Sequence, residues 1–282
     1  SAGTDPAEAG LLRVRRGPVE EGEHEADDDE ELRPLRDVPD LDGGAAEAAS
    51  LIGMRRPDVV YHLAAIPRSD PDARSLGAAF ARSMSIVEAA RHHRIAKIVT
   101  AIPASAIYGR PASKDVPLKE RPLEPRGVRG VVARATIDLL EAARDLDAIE
   151  FTALALGTVY GPRQRPSGGV VAAFAEAART RTPATIRGDG RQTRDFVFVD
   201  DVVDALVRAG GRGSGLVINI GTGVATPVRE VWQLVSGSTA PEPVHEPAPV
   251  DEVVRFAVSP VRARIHLGWS PWTTLADGLR EL

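Results

Sequence analysis

The chain has 282 residues, 43% of them hydrophobic, and carries a net charge of −5 with a pI near 5.8. That much apolar material can bury a sizeable core, and the acidic balance argues against a nucleic-acid or anionic-membrane binder. The absence of cysteine removes disulfides and thiol chemistry and is compatible with a reducing, cytoplasmic compartment, and no apolar run approaches the roughly 18 residues of a membrane span.

Residues 1–31 read SAGTDPAEAGLLRVRRGPVEEGEHEADDDEE. A nucleotide-binding α/β domain should open with an apolar strand and a glycine-rich turn into a helix. Gly3, Gly10, Gly17 and Gly22 form neither GxGxxG nor GxxGxxG, and Pro6 and Pro18 interrupt any long helix. ADDDEE reads on its own as a solvated acidic run. AAEAASLIGMRRP predicts a helix, and PDVVYHLAA a strongly apolar strand in which His62 reads as structural. AFARSMSIVEAARHHRI has helical spacing, with Phe80, Met84, Val87 and Ala90 as packing positions, and AKIVT predicts the next strand. This alternation implies an α/β fold built on a doubly wound parallel sheet, with ligands at the carboxyl ends of its strands.

The densest stretch is GDGRQTRDFVFVDD, from Gly188 to Asp201. GDG predicts a tight turn, FVFV a short strand, and VDDVVDALVRA a helix capped by Asp200 or Asp201. Arg194, at the mouth of this strand–helix unit, suits a doubly charged oxyanion such as a diphosphate. The plainer alternative is a surface ion pair between Arg194 and Asp195. Toward the end of the chain, LGWSP predicts that Trp269 packs in a core.

GDGRQTRDFVFVDDVVDA, together with HLAA, VYGPRQ and NIGTG, resembles the extended short-chain dehydrogenase/reductase family in its NAD-dependent epimerase/dehydratase branch. The resemblance spans about residues 32–282. Its wording is most similar to nucleotide-sugar epimerases of the UDP-glucose 4-epimerase type, which oxidise the sugar transiently at C4 with NAD. The dehydratases' acidic set before YG is replaced here by Ala104, Ser105 and Ala106. The resemblance implies a Rossmann-like cofactor domain over 1–161, degenerate in 1–31, and a smaller substrate-binding region over 162–282. Residues 195–221 return to the Rossmann sheet.

The same resemblance assigns site residues. Asp37 and Val38 border the adenine of NAD, and Leu63, Ala64 and Ala65 let its backbone pass closely. Asp27, Asp28 or Asp29 stands where the family holds the ribose. The substrate side, for a nucleotide-sugar and most simply a UDP-hexose, comprises Thr158 (in place of Asn), Arg163, Arg194, Asp251 and Arg255. The catalytic places are altered. Ala104 stands for the usual Ser or Thr with Ser105 beside it, Gly130 for the Tyr of YxxxK, and Arg134 for its Lys. None of Tyr61, Tyr108 and Tyr160 has Lys four residues on. A guanidinium near neutral pH neither donates nor recovers protons, and glycine has none to shuttle. The family's usual partner is a second copy in a helix-paired homodimer, and no metal is implied. Two readings stay open: an active epimerase, or an inactive homologue that binds a nucleotide-sugar or serves as a partner subunit.

Overall fold

The computed structural model describes residues 11–12, 45–66, 72–120, 123–237, 241–248 and 253–282. Asp27, Asp28, Asp29, Asp37, Val38 and Asp251 therefore lie outside the described residues. In chain order the first half comprises β1 (Leu11–Leu12), α1 (Ala45–Arg55), β2 (Val59–His62), α2 (Ala73–His93), β3 (Lys97–Pro103), α3 (Ala104–Tyr108), α4 (Gly127–Asp147) and β4 (Glu150–Leu156). There follow β5 (Thr158–Tyr160), α5 (Val170–Thr180), β6 (Thr185–Arg187), β7 (Thr193–Arg194), β8 (Phe196–Phe198), α6 (Val199–Gly211) and β9 (Leu216–Ile220). The chain closes with β10 (Thr226–Pro227), α7 (Val228–Ser236), β11 (Val244–Glu246), α8 (Val261–Leu267) and α9 (Leu275–Arg280).

The main sheet has the order β1-β2-β3-β4-β9. Strands β2, β3, β4 and β9 are parallel, with Val60 opposite Ile98, Ile98 opposite Phe151 and Leu154 opposite Ile218. Successive residues point to opposite faces, and the two faces are covered separately. Val60, Ile98 and Phe151 pack with residues of α1, α2 and α4. Tyr61, Val99 and Leu154 pack with Val202, Ala205, Leu267 and Trp269 on the other side. This is the expected doubly wound α/β arrangement, and each fully buried Ile or Leu stabilises it by roughly 1.5–3 kcal/mol. At one edge the pattern changes. Leu11 and Leu12 pair with His62 and Tyr61 antiparallel, where a parallel neighbour was expected.

Helix α2 shows how local signals set boundaries. The Asp72 carboxylate accepts from the Ser75 amide at 2.7 Å, and Arg94, in the left-handed conformation, closes the far end onto Ala90 and Arg91 carbonyls. Its buried face is Leu76, Ala79, Ser83, Ile86, Val87 and Ala90. Val87 and Ala90 are packed as expected, but Phe80 is only half-buried and Met84 is 51% exposed. The small residues Ala79 and Ser83 take the inner face because α1 and α4 pack closely against it.

A smaller region lies beyond β5. Strand β8 pairs in parallel with β5, while β11 pairs with β6 and β10 with β7. Its own core gathers Tyr160, Phe174, Ile186, Phe196, Phe198 and Trp232. The rings of Phe174 and Trp232 meet edge-on at 5.4 Å. Strand β9 then rejoins the main sheet beside β4. No helix among the described residues is long and apolar enough to cross a membrane.

Candidate functional site

The stretch after β6 turns at Gly188 and Gly190, both with positive φ, and a Cβ on Gly190 would lie 2.9 Å from that of Arg229. The Asp189 carboxylate accepts from the Arg191 amide at 2.9 Å and tightens the turn. Strand β7 then pairs antiparallel with β10, setting Arg194 opposite Thr226. Arg194 Nη1 donates to the carbonyls of Val253 and Thr193, both at 2.8 Å, which fixes the guanidinium against the chain's tail. It lines a cleft of about 380 Å3 together with Arg187, Gln192, Val228 and the entry to α5 at Gly169 and Val170. Gln192 Nε2 donates to the Arg187 carbonyl at 2.6 Å, so the two ends of the turn hold each other.

Asp195 is not half of a surface ion pair. It is fully buried, and the alternation of the chain turns it away from its neighbour. Its carboxylate accepts from Thr222 N (2.8 Å), Thr222 Oγ1 (2.6 Å), Gly223 N (3.1 Å) and Val258 N (3.0 Å). Burial pushes its pKa up, against the downward pull of those bonds. The residue thus ties β7, the glycine turn after β9 and the tail into one unit.

The expected helix cap is corrected. Strand β8 ends at Phe198 and α6 begins at Val199, so neither Asp200 nor Asp201 occupies the cap. Asp201 is buried instead, accepting from Thr273 Oγ1 at 2.8 Å and Thr273 N at 3.2 Å. Its carbonyl accepts from Trp269 Nε1 at 2.8 Å. Trp269 is 1% exposed and belongs to the core, as its motif suggested.

The parallel strands bring a second group of positions to one edge. After β2, Leu63 and Ala64 are half-buried and Ala65 fully buried. His62 Nε2 lies 2.8 Å from Ser83 Oγ. That hydroxyl also lies 3.2 Å from the Ala79 carbonyl, which can accept its proton. Burial, followed by the charge of Arg82, pushes the His62 pKa down to about 4, and the ring stays neutral. After β3, Ala104 is fully buried and Ser105 is exposed. Gly130, on α4, backs directly onto α3. A Cβ there would lie 2.7 Å from the Ala106 carbonyl and 3.1 Å from Pro125 Cβ. Arg134, one turn on, donates to Asp138 at 2.7 Å, both side chains being more than two-fifths exposed.

All three tyrosines are buried. Tyr108 donates to Asn219 Oδ1 at 2.7 Å, and Asn219 Nδ2 donates to the Leu118 carbonyl. Burial raises the pKa of Tyr61, and burial with two nearby carboxylates raises that of Tyr160 to about 12.

The remaining sequence candidates separate. Thr158, on β5, donates its amide to the Asp195 carbonyl at 2.6 Å and so adjoins the Arg194 unit. Arg255 is exposed, between Val253, which receives Arg194, and Val258, which donates to Asp195. Arg163 is placed elsewhere: it lines a different cavity, of about 670 Å3, on the other side of Pro166. Arg187 and Gln192 were missed in the sequence. Their signal was the GDG turn, which folds the residue before it back onto the residues after it.

Comparison with known proteins gives a consistent picture. The profile of the NAD dependent epimerase/dehydratase family matches residues 26–221. The UDP-glucose 4-epimerase of Mycolicibacterium smegmatis is 37% identical over 249 residues, which is 84% of this chain and 78% of the relative. Among solved structures, the UDP-glucose 4-epimerase of Thermotoga maritima with UDP-glucose superposes with a TM-score of 0.77. It is 30% identical, over 84% of this chain and 79% of its own. The Thermus thermophilus UDP-glucose 4-epimerase complex with NAD gives the same score at 28% identity, over 84% and 80%.

Proposed function

The chain belongs to the NAD dependent epimerase/dehydratase family, and on that premise we propose that it is a UDP-hexose-binding protein of the UDP-glucose 4-epimerase type, with NAD as cofactor. One observation carries the reading. The cleft of about 380 Å3 sets Arg194, Arg187 and Gln192 around the entry to α5, with Arg194 anchored through Val253. Two guanidiniums and backbone amides at a helix entry suit a diphosphate, and the tail residues Arg255 and Asp251 complete the substrate side in this reading. In this reading Thr158 belongs to the substrate side, and its amide donates to the carbonyl of Asp195, next to Arg194. Residues 1–161 then serve the cofactor and 162–282 mainly the sugar nucleotide, with β9 crossing back into the sheet.

The described residues fit NAD in part. Ala64 and Ala65, following Leu63, offer short side chains at the carboxyl edge of the sheet, where a cofactor backbone can approach. When bound, NAD supplies the hydride acceptor for oxidation at C4 of the sugar. A hydroxyl proton must leave in the same step, and here the chain departs from what the chemistry needs. The relay place holds Gly130 pressed against α3, the neighbouring place holds Arg134 paired with Asp138, and Ser105 is exposed.

That observation favours a second reading, an inactive homologue that retains the sugar-nucleotide cleft. One purified sample separates the two. UDP-glucose and UDP-galactose are interconverted by the active form at a measurable rate, with NAD released on denaturation. The inactive form binds UDP-glucose in a calorimeter without turnover. A chain that binds no UDP-sugar at all would sink both.

A further inference from the structure

Strand β9 ends the main sheet, and among the described residues no strand pairs with its outer edge. The Ile220 carbonyl accepts from the Gly157 amide just after β4, so the alternate residues Val217 and Asn219 turn their backbone groups outward. An edge of this kind is open to pairing unless something covers it. Here two oppositely charged side chains do so. Glu120 Oε1 accepts from the Asn219 amide at 2.9 Å, and Arg262 Nη1 donates to the Val217 carbonyl at 3.1 Å. The two also meet each other, with Arg262 Nε 3.6 Å from Glu120 Oε2. The Glu120 side chain is only 8% exposed. Removing its partner would leave a nearly buried carboxylate uncompensated, unlike the exposed pairs Arg179–Glu176 and Arg280–Asp277.

The two charges close a layered arrangement. Leu118, two residues before Glu120, donates its amide to the Ala257 carbonyl, and its own carbonyl accepts from the Ser259 amide and from Asn219 Nδ2. The tail therefore lies along Leu118 on one side. On the other side it runs along β7. Arg194 donates to the Val253 carbonyl, the Thr193 amide to that of Val254, and the Val258 amide to the Asp195 carboxylate. Residues 253–259 thus form a strap that receives Arg194 and Asp195. Just beyond it the chain enters α8, whose second residue is Arg262.

We propose that Glu120 and Arg262 are positioning residues that latch this strap against the edge of β9, and so hold Arg194 in place for the ligand of its cleft. Neither residue lines that cleft, so their influence on the ligand passes through the strap. The inference rests on the nucleotide-sugar reading for the identity of the ligand, whereas the latch is measured without one.

The test uses the full chain carrying Glu120→Gln or Arg262→Met. The glutamine keeps an oxygen for the Asn219 amide and removes only the charge. Without ligand, hydrogen exchange at the Leu118 and Val258 amides should be roughly fivefold faster in both variants, with the amides of β3 unchanged. Unchanged exchange at Val258, or an equal rise in β3, would overturn the latch. In a calorimeter each variant should bind UDP-glucose roughly threefold more weakly. In an Arg194→Ala background the same substitutions should cost no further affinity, since they act through that guanidinium. Full affinity in both variants, or an equal loss with and without Arg194, would overturn the positioning role. An unaltered chain that binds no UDP-glucose would sink the nucleotide-sugar reading and the positioning role with it, while exchange at Val258 still decides the latch.

Discussion

Around Asp195 the polar groups close on one another: a single buried carboxylate receives donors from the turn after β9 and from the tail, and the neighbouring arginine is anchored to the same tail. Around Gly130, by contrast, the contacts are backbone and small side chains, with α4 resting on α3 through a carbonyl and a proline. Both regions adjoin the carboxyl edge of the sheet. The first is organised to hold a guanidinium in place, and the second leaves no space for a side chain at Gly130.

The comparison can be broken most severely at its first member. Asp195→Ala would leave the buried Val258 amide and the half-buried Thr222 and Gly223 amides without an acceptor, and we expect a loss of about 3–4 kcal/mol. Urea denaturation reads this directly, and a loss below about 1 kcal/mol would mean that the carboxylate does not tie the unit together.

Acid should act on the sheet beside these regions through His62, at the end of β2, whose folded pKa of about 4 lies below the ordinary 6.5. The unfolded chain then binds the extra proton, so the stabilisation is complete above pH 6.5 and fades as pH falls toward 4. The amount is about 3 kcal/mol. His62→Gln should flatten this part of the stability–pH curve, and an unaltered slope would remove His62 as its source.

Arg194→Ala should weaken UDP-glucose binding by roughly 1.5–3 kcal/mol, the worth of charge-assisted hydrogen bonds. Unchanged affinity in a calorimeter takes Arg194 out of the site. Gly130→Tyr probes the opposite wall. The new side chain meets the Ala106 carbonyl, so we expect a stability loss of about 1–3 kcal/mol from overpacking and no gain of epimerase turnover. A gain would show that α4 can move away from α3 and that the relay place is intact in all but identity. The smallest effect belongs to Arg134→Ala. Its exposed i,i+4 pair with Asp138 is worth about 0.3–0.5 kcal/mol, and UDP-glucose affinity should not change.

Much of the main sheet was legible because its signals are local. An apolar run such as VVYH or KIVT needs burial on both faces, and the helices between such runs show their period directly. The phase of α2 was harder to read. Hydrophobicity favoured Phe80 and Met84, but close packing against α1 and α4 admits Ala79 and Ser83 instead. The helix start at Val199 was missed for a related reason. Asp201 fits the chemistry of a cap, yet Thr273 from the far end of the chain supplies its donors.

The sequence by itself determined the family, the doubly wound sheet, the arginine of the RD pair and the absence of any Tyr followed four residues on by Lys. Each of these is carried by residue identity at short spacing. Only the tertiary structure decided that Asp195 is a buried acceptor rather than an ion-pair partner, because its donors come from Thr222, Gly223 and Val258, far along the chain. It likewise decided that Arg163 and Arg194 face different cavities, and that Gly130 is pinned by a carbonyl from another helix. Spacing along a chain specifies which groups are available. Only packing between distant segments sets which of them meet and how much room is left between them.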